Sequence, residues 1–464
     1  MVRPFHNDHA NASPYWNPGM ETMPRAQLDA LHLRRIQLMI RFAYENSPFY
    51  RKLYREAGFT PDDIRSLDDF IRLVPVIDKK DLVQAQGAGA PPYGDARALP
   101  EEYNLYRFQT SGSTGTPLQI PFGYYSSAQY GEQWVYGFWA VGLRAYHTFY
   151  FAFNWGTFAG FWSAYWGVRR LGATVISGGG LDTKGRINHI LQSKPDVLVA
   201  TPTYALYMAE VAKGMGVDLR ETTIKYFYSA GEPGPSIPTT RRAIEEAWGA
   251  KAFELYGIAE VGAIAPGCPL QGGVHLAEDW AHSLVLGEDG KPVAAGEVGE
   301  NVVTSYVQHV QPIIKYRSHD LVRPRYGICD CGRTWTYYDG GVLGRTDHMI
   351  IIKGTNVYPT AVEALLGDVA GLSEHYEIHV DTEDKSDSIT VKVEAARGLP
   401  SEQYEKAAQE AARLLYKSIM VRIGIKVLPP ESLPRYELKA KRFFDHRPAG
   451  KGWVMREGTA SAPR

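Results

Sequence analysis

From about residue 148 to residue 260 the chain alternates short apolar runs with amphipathic stretches of helical period. "ATVIS" (173–177) precedes a helix near Arg186 to Gln192, and "DVLVAT" (196–201) precedes "TYALYMAEVAK". "IKYFYSAG" (224–231) precedes "TTRRAIEEAWG", and "KAFELYG" (251–257) comes next. Apolar runs too short for helices, separated by helices, are the βαβ rhythm of a helix-covered sheet, so the fold class is α/β. The breaks at Gly178–Gly180 and Gly231–Pro235 fall at the carboxyl ends of the predicted strands, where such sheets bind ligands. Before this region, Leu28, Leu31, Ile36, Met39 and Ile40 recur at helical spacing and predict opening helices within 26–58. After Asp347 the pattern changes. Strands are predicted at Tyr376–Val380, Ile389–Val393 and Val421–Leu428, with a helix from Glu402 to Ser418. A large domain over 1–346 and a small α+β domain (β-β-α-β) over 347–464 follow from that change.

One segment imitates a membrane span. "TFYFAFNWGTFAGFWSAYWGV" (148–168) carries no charge over 21 residues. Its ten aromatics, three glycines and Asn154 argue instead for a buried strand running into a packed helix. The net charge of -1 gives no field that would favour nucleic acid or anionic lipid. Three cysteines in 464 residues make no secreted disulfide framework, and the first 18 residues hold no apolar core segment, so a cytoplasmic protein is expected.

Thr110–Thr116 is a run of seven hydroxylated or glycine residues. Small residues let successive backbone N–H groups face one concavity, and hydroxyls add donors, which makes an anion nest; a flexible surface loop is the alternative. The Walker pattern G-x-x-x-x-G-K-[ST] occurs nowhere in the chain. The companions of the loop decide between the two. "QTSGSTGTP", "YGIAEVG" (256–262), "YRSHDLV" (316–322), "GRTDHMIIIKGTNVYP" (344–359) and "LPRYELKAKR" (433–442) follow in order. Together they resemble the core motifs of the adenylate-forming acyl-CoA synthetase superfamily, and most closely its phenylacetate–CoA ligase-like branch. "SPFYRKLYREAGF", "LGATVISGGG" and "SAGEPGP" resemble that branch too.

The resemblance implies a two-step reaction. A carboxylate attacks the α-phosphate of ATP, pyrophosphate leaves, and a thiol then displaces AMP. It further implies that Thr110, Ser111, Gly112, Ser113, Thr114 and Gly115 hold the β- and γ-phosphates, and that Glu260 ligates Mg²⁺. Tyr256, with Gly257 beside it, stacks on adenine; Ala230, Gly231, Glu232 and Pro233 line adenine and the acyl site. Asp320 takes the ribose hydroxyls, Arg345 approaches the ribose and α-phosphate, and Lys439 bridges carboxylate and α-phosphate. Asp347 stands at the family's hinge. Lys353 and Gly354 belong to the face that approaches CoA in the second step. Three positions depart from the family pattern: Ala259 where Ser or Thr is common, Leu118 where many relatives have Lys, and Leu438 where Gly is usual.

The only cysteines are Cys268, Cys329 and Cys331, and His275 lies seven residues after the first. Cys₃His is a common structural zinc set, although Cys-x-Cys is a shorter spacing than usual, and three buried thiols are the plain alternative. Some relatives of the resembled branch place metal-binding Cys and His in these segments.

The substrate is expected to be a small aromatic carboxylic acid, with Tyr136, Phe138, Phe151, Phe153 and Trp155 as aromatic walls or, equally, as core. The acceptor is expected to be CoA, with an amine or a carrier protein as the alternative. A nucleotide sensor without turnover is the non-enzymatic reading, and the intact Glu260, Asp320 and Lys439 weigh against it. The assembly state is open, a homodimer included.

Overall fold

The computed structural model of the protein describes residues 13–110, 116–157, 159–346, 350–352, 355–383, 386–419, 421–436 and 440–447. The predicted opening helices are α1 (Arg25–Asn46) and α2 (Pro48–Glu56). Leu28, His32, Ile36, Met39, Ile40 and Ala43 form the buried stripe of α1, at the three- and four-residue spacing of one helix face. Helix α3 (Leu67–Leu73) starts at an Asp69 N–H bonded to the Ser66 hydroxyl, and α4 (Lys79–Gly87) starts at an Asp78/Asp81 capping box. A hairpin of β1 (Asn104–Gln109) and β2 (Gln119–Gly123) leads into α5 (Tyr124–Ala140).

The alternating region builds a six-stranded sheet. Strands β3 (Thr148–Phe151), β4 (Thr174–Ser177), β5 (Val197–Ala200), β6 (Tyr226–Ala230), β7 (Lys251–Ile258) and β8 (Gly262–Pro266) lie in the order β4-β3-β5-β6-β7-β8. All pairings are parallel except β7–β8. Helices α6 (Ala159–Leu171), α7 (Thr183–Ser193), α8 (Pro202–Gly214) and α9 (Pro238–Trp248) connect them. Both faces are covered. Leu198 and Ala200 pack with Ile187, Tyr204, Met208, Ile244 and Trp248, whereas Val197 and Val199 pack with Trp134, Phe138, Ala164 and Val168. A strand buried on both faces needs apolar residues at every position, which is why "VLVA" shows no alternation. The uncharged aromatic segment is β3 followed by α6, as its composition predicts, and among the described residues no helix is long and apolar enough to cross a membrane.

Three further sheets complete the N-terminal unit and were not foreseen in the sequence. Strands β9 (Gly273–His275), β10 (Ala281–Leu286), β11 (Gly299–Ser305), β12 (Tyr316–Val322), β13 (Pro324–Arg325), β14 (Tyr337–Asp339) and β15 (Gly344–Arg345) form the sheets β10-β11-β12-β15 and β13-β14-β9. The remaining sheet is the β1–β2 hairpin.

Beyond residue 350 the chain has its own core. A short hairpin of β16 (Ile350–Ile352) and β17 (Thr355–Val357) leads into α10 (Pro359–Leu366). Then β18 (Leu372–Glu383), β19 (Ser386–Ala395), α11 (Tyr404–Ile419), β20 (Gly424–Leu428) and β21 (Phe443–Asp445) give a sheet ordered β20-β19-β18-β21. Ile378, Val380, Val391 and Val393 pack there against Val362, Leu366, Ala411 and Leu415. The predicted β-β-α-β is present; β16, β17, α10 and β21 are additions to it.

Candidate active site and a cysteine cluster

Ala230 to Pro233, Tyr256 and Glu260 follow or end strands of the six-stranded sheet, at its crest. After β6 the chain turns at Gly231, whose φ of +98° is one that side chains rarely adopt. Glu254 of β7 fixes the rest of that turn by accepting the N–H groups of Gly234 (3.2 Å) and Ser236 (3.1 Å). Its carboxyl is pushed up by burial. Ala230, Gly231, Glu232 and Pro233 therefore form one rigid corner at the crest.

Tyr256, Asp320 and Arg345, from three strands, meet. Asp320 and Arg345 are cross-strand partners on β12 and β15. Arg345 Nη1 donates to Asp320 Oδ1 at 3.0 Å, and the Tyr256 hydroxyl donates to Asp320 Oδ2 at 2.8 Å. Asn301 Nδ2 donates in turn to the Tyr256 oxygen at 3.0 Å. Asp320 is aimed by a kink: His319 has a φ of +62°, and the Ser318 hydroxyl accepts the Asp320 N–H while donating to the Asn301 carbonyl. Asn301, Ser318 and Glu254 were not singled out in the sequence; each acts across strands distant in the chain.

Glu260 sits in the tight connection between β7 and β8, whose register pairs Ile258 with Gly262. It is 8% exposed, the Tyr316 hydroxyl donates to its Oε1 at 3.0 Å, and burial raises its carboxyl above the ordinary range. Gln308 Nε2 braces the turn through the Glu260 carbonyl (3.2 Å) and the Tyr130 hydroxyl (3.1 Å). A carboxylate held at the edge of a crest and destabilised by burial is a suitable ligand for a hard cation, whose charge would restore the ionised form.

Thr110 closes the base of the β1–β2 connection: its N–H donates to the Leu118 carbonyl and its hydroxyl accepts the Leu118 N–H, both at 3.0 Å. The departure at Leu118 has a packing reason, since that side chain is fully buried in the core. Ser111, Gly112, Ser113, Thr114 and Gly115 lie outside the described residues, as do Asp347, Lys353, Gly354, Leu438 and Lys439.

The aromatic walls require correction. Phe138 is core, wedged between Phe149 and Tyr228. Tyr136 is core as well: its ring meets Trp335 edge-on and its hydroxyl donates to Asp279. Helix α5 is buried nearly all round, so aromatic density there reports packing. Phe151 and Phe153 are also buried, Phe153 stacked on Phe161 with ring centres 3.8 Å apart. Trp155 remains partly exposed. It donates to the Ser177 hydroxyl at 2.9 Å and borders Trp162 and Tyr165 of α6 at 5.3 and 5.7 Å. The loop is pinned by Arg186, a buried guanidinium that donates to the Gly178 carbonyl (3.0 Å), the Tyr204 hydroxyl (2.6 Å) and Asn154 Oδ1 (3.1 Å). Of the five aromatics expected as walls or core, Trp155 alone is not buried, and it forms a rim with Trp162 and Tyr165.

Glu232 also has partners other than those expected of an adenine wall. Its Oε1 accepts the Thr203 N–H at 2.8 Å, and its Oε2 accepts the Ala440 N–H at 3.2 Å. Neighbouring contacts join the same two units: Arg442 to the Thr203 hydroxyl (3.2 Å), the Thr240 hydroxyl to Glu363 (2.8 Å), and Glu210 to His375 (3.1 Å) and Arg435 (3.4 Å).

Away from the crest, Cys268, His275, Cys329 and Cys331 present four potential ligand atoms that all lie within 4.8 Å of one another. The Cys329–Cys331 knuckle closes through Gly332 N–H to the Cys329 carbonyl (2.7 Å), with Gly332 at a φ of +86°. His275 Nδ1 lies 3.4 Å from the Trp335 carbonyl, and its Nε2 faces Cys331 Sγ at 3.3 Å. Hydrogen bonding from Cys268, and next from His275, holds the Cys331 thiol well below its usual range. Arg333 lies 3.6 Å from that sulfur and pairs with the buried Glu21 at 2.6 Å. The set could hold a metal ion.

The family described as AMP-binding enzyme C-terminal domain matches residues 354–447. The phenylacetate–coenzyme A ligase of Thermus thermophilus is 32% identical over 454 residues, covering 93% of this chain and 99% of its own. Among solved structures, 2-hydroxyisobutyryl-CoA ligase in the postadenylation state with 2-HIB-AMP aligns with a TM-score of 0.89 at 30% identity, covering 94% of this chain and 93% of that one. The same ligase with CoA in the thioesterification state aligns at 0.71, with 93% and 92% covered. The two units are therefore arranged here as in the former. The fold is that of an adenylate-forming ligase with a C-terminal domain. Within that superfamily the chain belongs to the phenylacetate–CoA ligase family, and it is an AMP-forming CoA ligase that uses ATP.

Proposed function

We propose that the acid activated by this ligase is a small, flat aromatic carboxylic acid, converted to its acyl-adenylate and then to an aryl- or arylacetyl-CoA thioester. The observation that carries the reading is the rim of Trp155, Trp162 and Tyr165 beside the crest, in a chain whose relatives are phenylacetate–CoA ligases. Apolar walls with few polar anchors suit a planar ring.

The first step crowds negative charge at the α-phosphate and on pyrophosphate, so catalysis is mainly electrostatic and positional. Asp320, braced by Arg345, takes the ribose hydroxyls; Tyr256 presents its ring to adenine next to Gly257. Arg345 faces the α-phosphate from the same strand pair. Thr110 and the Ser111–Gly115 run take the β- and γ-phosphates. Glu260 would hold Mg²⁺, which when bound offsets charge on the phosphates. Lys439 reaches the carboxylate and α-phosphate in this step. A turn at Asp347 then brings the face around Lys353 and Gly354 to the CoA arm, the staged assembly that domain rotation permits. Cys268, His275, Cys329 and Cys331 would hold a structural zinc ion, since four protein ligands leave no open position. The three unpaired thiols fit a reducing compartment such as the cytoplasm.

The test is ATP–pyrophosphate exchange across a panel of acids. Exchange with phenylacetate or benzoate is expected. Exchange with medium-chain fatty acids or 2-hydroxyisobutyrate, and with none of the aromatic acids, would overturn the substrate class.

A further inference from the structure

Glu232 lies on the corner after β6, and its two carboxylate oxygens point to different units of the molecule. Oε1 accepts the N–H of Thr203 in the first turn of α8, at the end of the helix where acceptor groups are favoured. That helix already has its own cap, the Thr201 hydroxyl on the Tyr204 N–H at 3.3 Å. Capping therefore leaves unexplained why Oε2 takes the N–H of Ala440, on the far side of the boundary between the units, at 3.2 Å. Ala440 is the residue after Lys439.

The surroundings favour the same register. Arg442, two residues on from Ala440, donates to the Thr203 hydroxyl at 3.2 Å and pairs with Glu363 at 3.2 Å. Glu363 accepts the Thr240 hydroxyl at 2.8 Å and the Tyr376 hydroxyl at 2.6 Å. Thr203, Glu232 and Thr240 of one unit thus grip Ala440, Arg442 and Glu363 of the other, with Glu232 on the corner that carries Ala230 and Gly231. Charge-assisted hydrogen bonds to backbone N–H groups are short-ranged and directional, so this grip exists in one arrangement of the two units and is lost when they part.

We infer that Glu232 is a positioning residue for the first half-reaction: its carboxylate seats the backbone next to Lys439 while the acid is adenylated, and releases it for thioester formation. The inference rests on the reading of Lys439 as the first-step lysine.

The full-length protein should be assayed in two halves. One is ATP–pyrophosphate exchange with phenylacetate, or with the fastest acid of the panel if that is another. The other is CoA thioester formation from the matching synthetic acyl-adenylate. Glu232→Ala should lower the exchange kcat at least tenfold, leave the KM for ATP within about twofold, and leave the second half-reaction within about twofold. Glu232→Gln, which keeps one acceptor oxygen, should fall between Ala and the native protein, and Arg442→Gln should reproduce the selective loss. Equal loss in both halves for Glu232→Gln and Arg442→Gln would mark a merely structural role and overturn the inference. So would a raised KM for ATP at unchanged kcat, which would return Glu232 to the adenine wall. Lys439→Ala separates the two readings. If it abolishes exchange while Glu232→Ala does not, the inference fails and the lysine reading stands. If Lys439→Ala leaves exchange intact, the lysine reading fails and takes this inference with it.

Discussion

Glu260 and Asp279 are both buried carboxyl groups, and their surroundings set them different tasks. Glu260 is at the crest with a tyrosine hydroxyl on one oxygen. Replacing it by Gln keeps the shape and removes the charge, so exchange should fall by about a hundredfold or more while the melting temperature hardly moves. Unchanged exchange would remove Glu260 from the phosphate chemistry. Asp279 faces Tyr136 inside the N-terminal unit, away from the crest. Burial pushes its carboxyl up to about 7 from an ordinary 3.8, with the Tyr136 hydrogen bond and Arg35 opposing and Glu21 adding to the rise. Between those values the folded chain holds a proton that the unfolded chain has released. The stability contributed by this group is therefore complete below the lower value and lost as pH rises through the upper one. From about pH 5 to about pH 8 the native protein should lose a few kcal/mol more stability than Asp279→Asn, which does not titrate. Denaturation at the two pH values checks this, and parallel losses would contradict it.

Turns carry the site at the level of elements, and one of them depends on a single small residue. Gly262 opens β8 at a φ of +106°, and a Cβ there would fall 1.2 Å from Cε1 of Tyr130. Gly262→Ala must displace the ring or the turn that holds Glu260. It should cost about 3 kcal/mol or more of stability and lower exchange in parallel; a protein as stable and active as the native one would show the turn to be tolerant. In the cysteine knuckle, Cys329→Ser should abolish stoichiometric zinc in metal analysis and lower thermal stability more than exchange. Absence of zinc from the native protein, with three freely reacting thiols, would contradict the proposed site.

These elements were unequally legible in the sequence. The alternation from 148 to 260 gave β3 to β7 and their helices, because central strands such as β5, buried on both faces, are short runs that are mostly apolar. Strand β11 is buried along its whole length yet reads "GENVVTS", so neither period nor apolarity marks it. Tyr136 and Phe138 misled for the reverse reason: on a helix buried almost all round, nothing in the spacing separates a pocket wall from core. Motifs singled out Tyr256, Asp320 and Arg345 one by one, whereas their mutual contacts and those of Asn301, Ser318 and Glu254 are hydrogen bonds that no local pattern encodes.

Across the whole molecule the two units meet along a seam of polar contacts, Glu210 with His375 and Arg435, Glu232 with Ala440, and Glu363 with Thr240. A polar seam can part without exposing apolar core, which suits a ligase whose two steps need different groups at one site. Both steps depend on the carboxylate of the acid attacking phosphorus, so that one of its oxygens leaves with AMP. The most direct measurement is a turnover with the fastest acid of the exchange panel, labelled with oxygen-18 in its carboxyl group, together with ATP and CoA. One labelled oxygen should appear in AMP and none in pyrophosphate, with the matching acyl-CoA formed in equal amount. Label in pyrophosphate or in free phosphate, or AMP without label, would contradict the account.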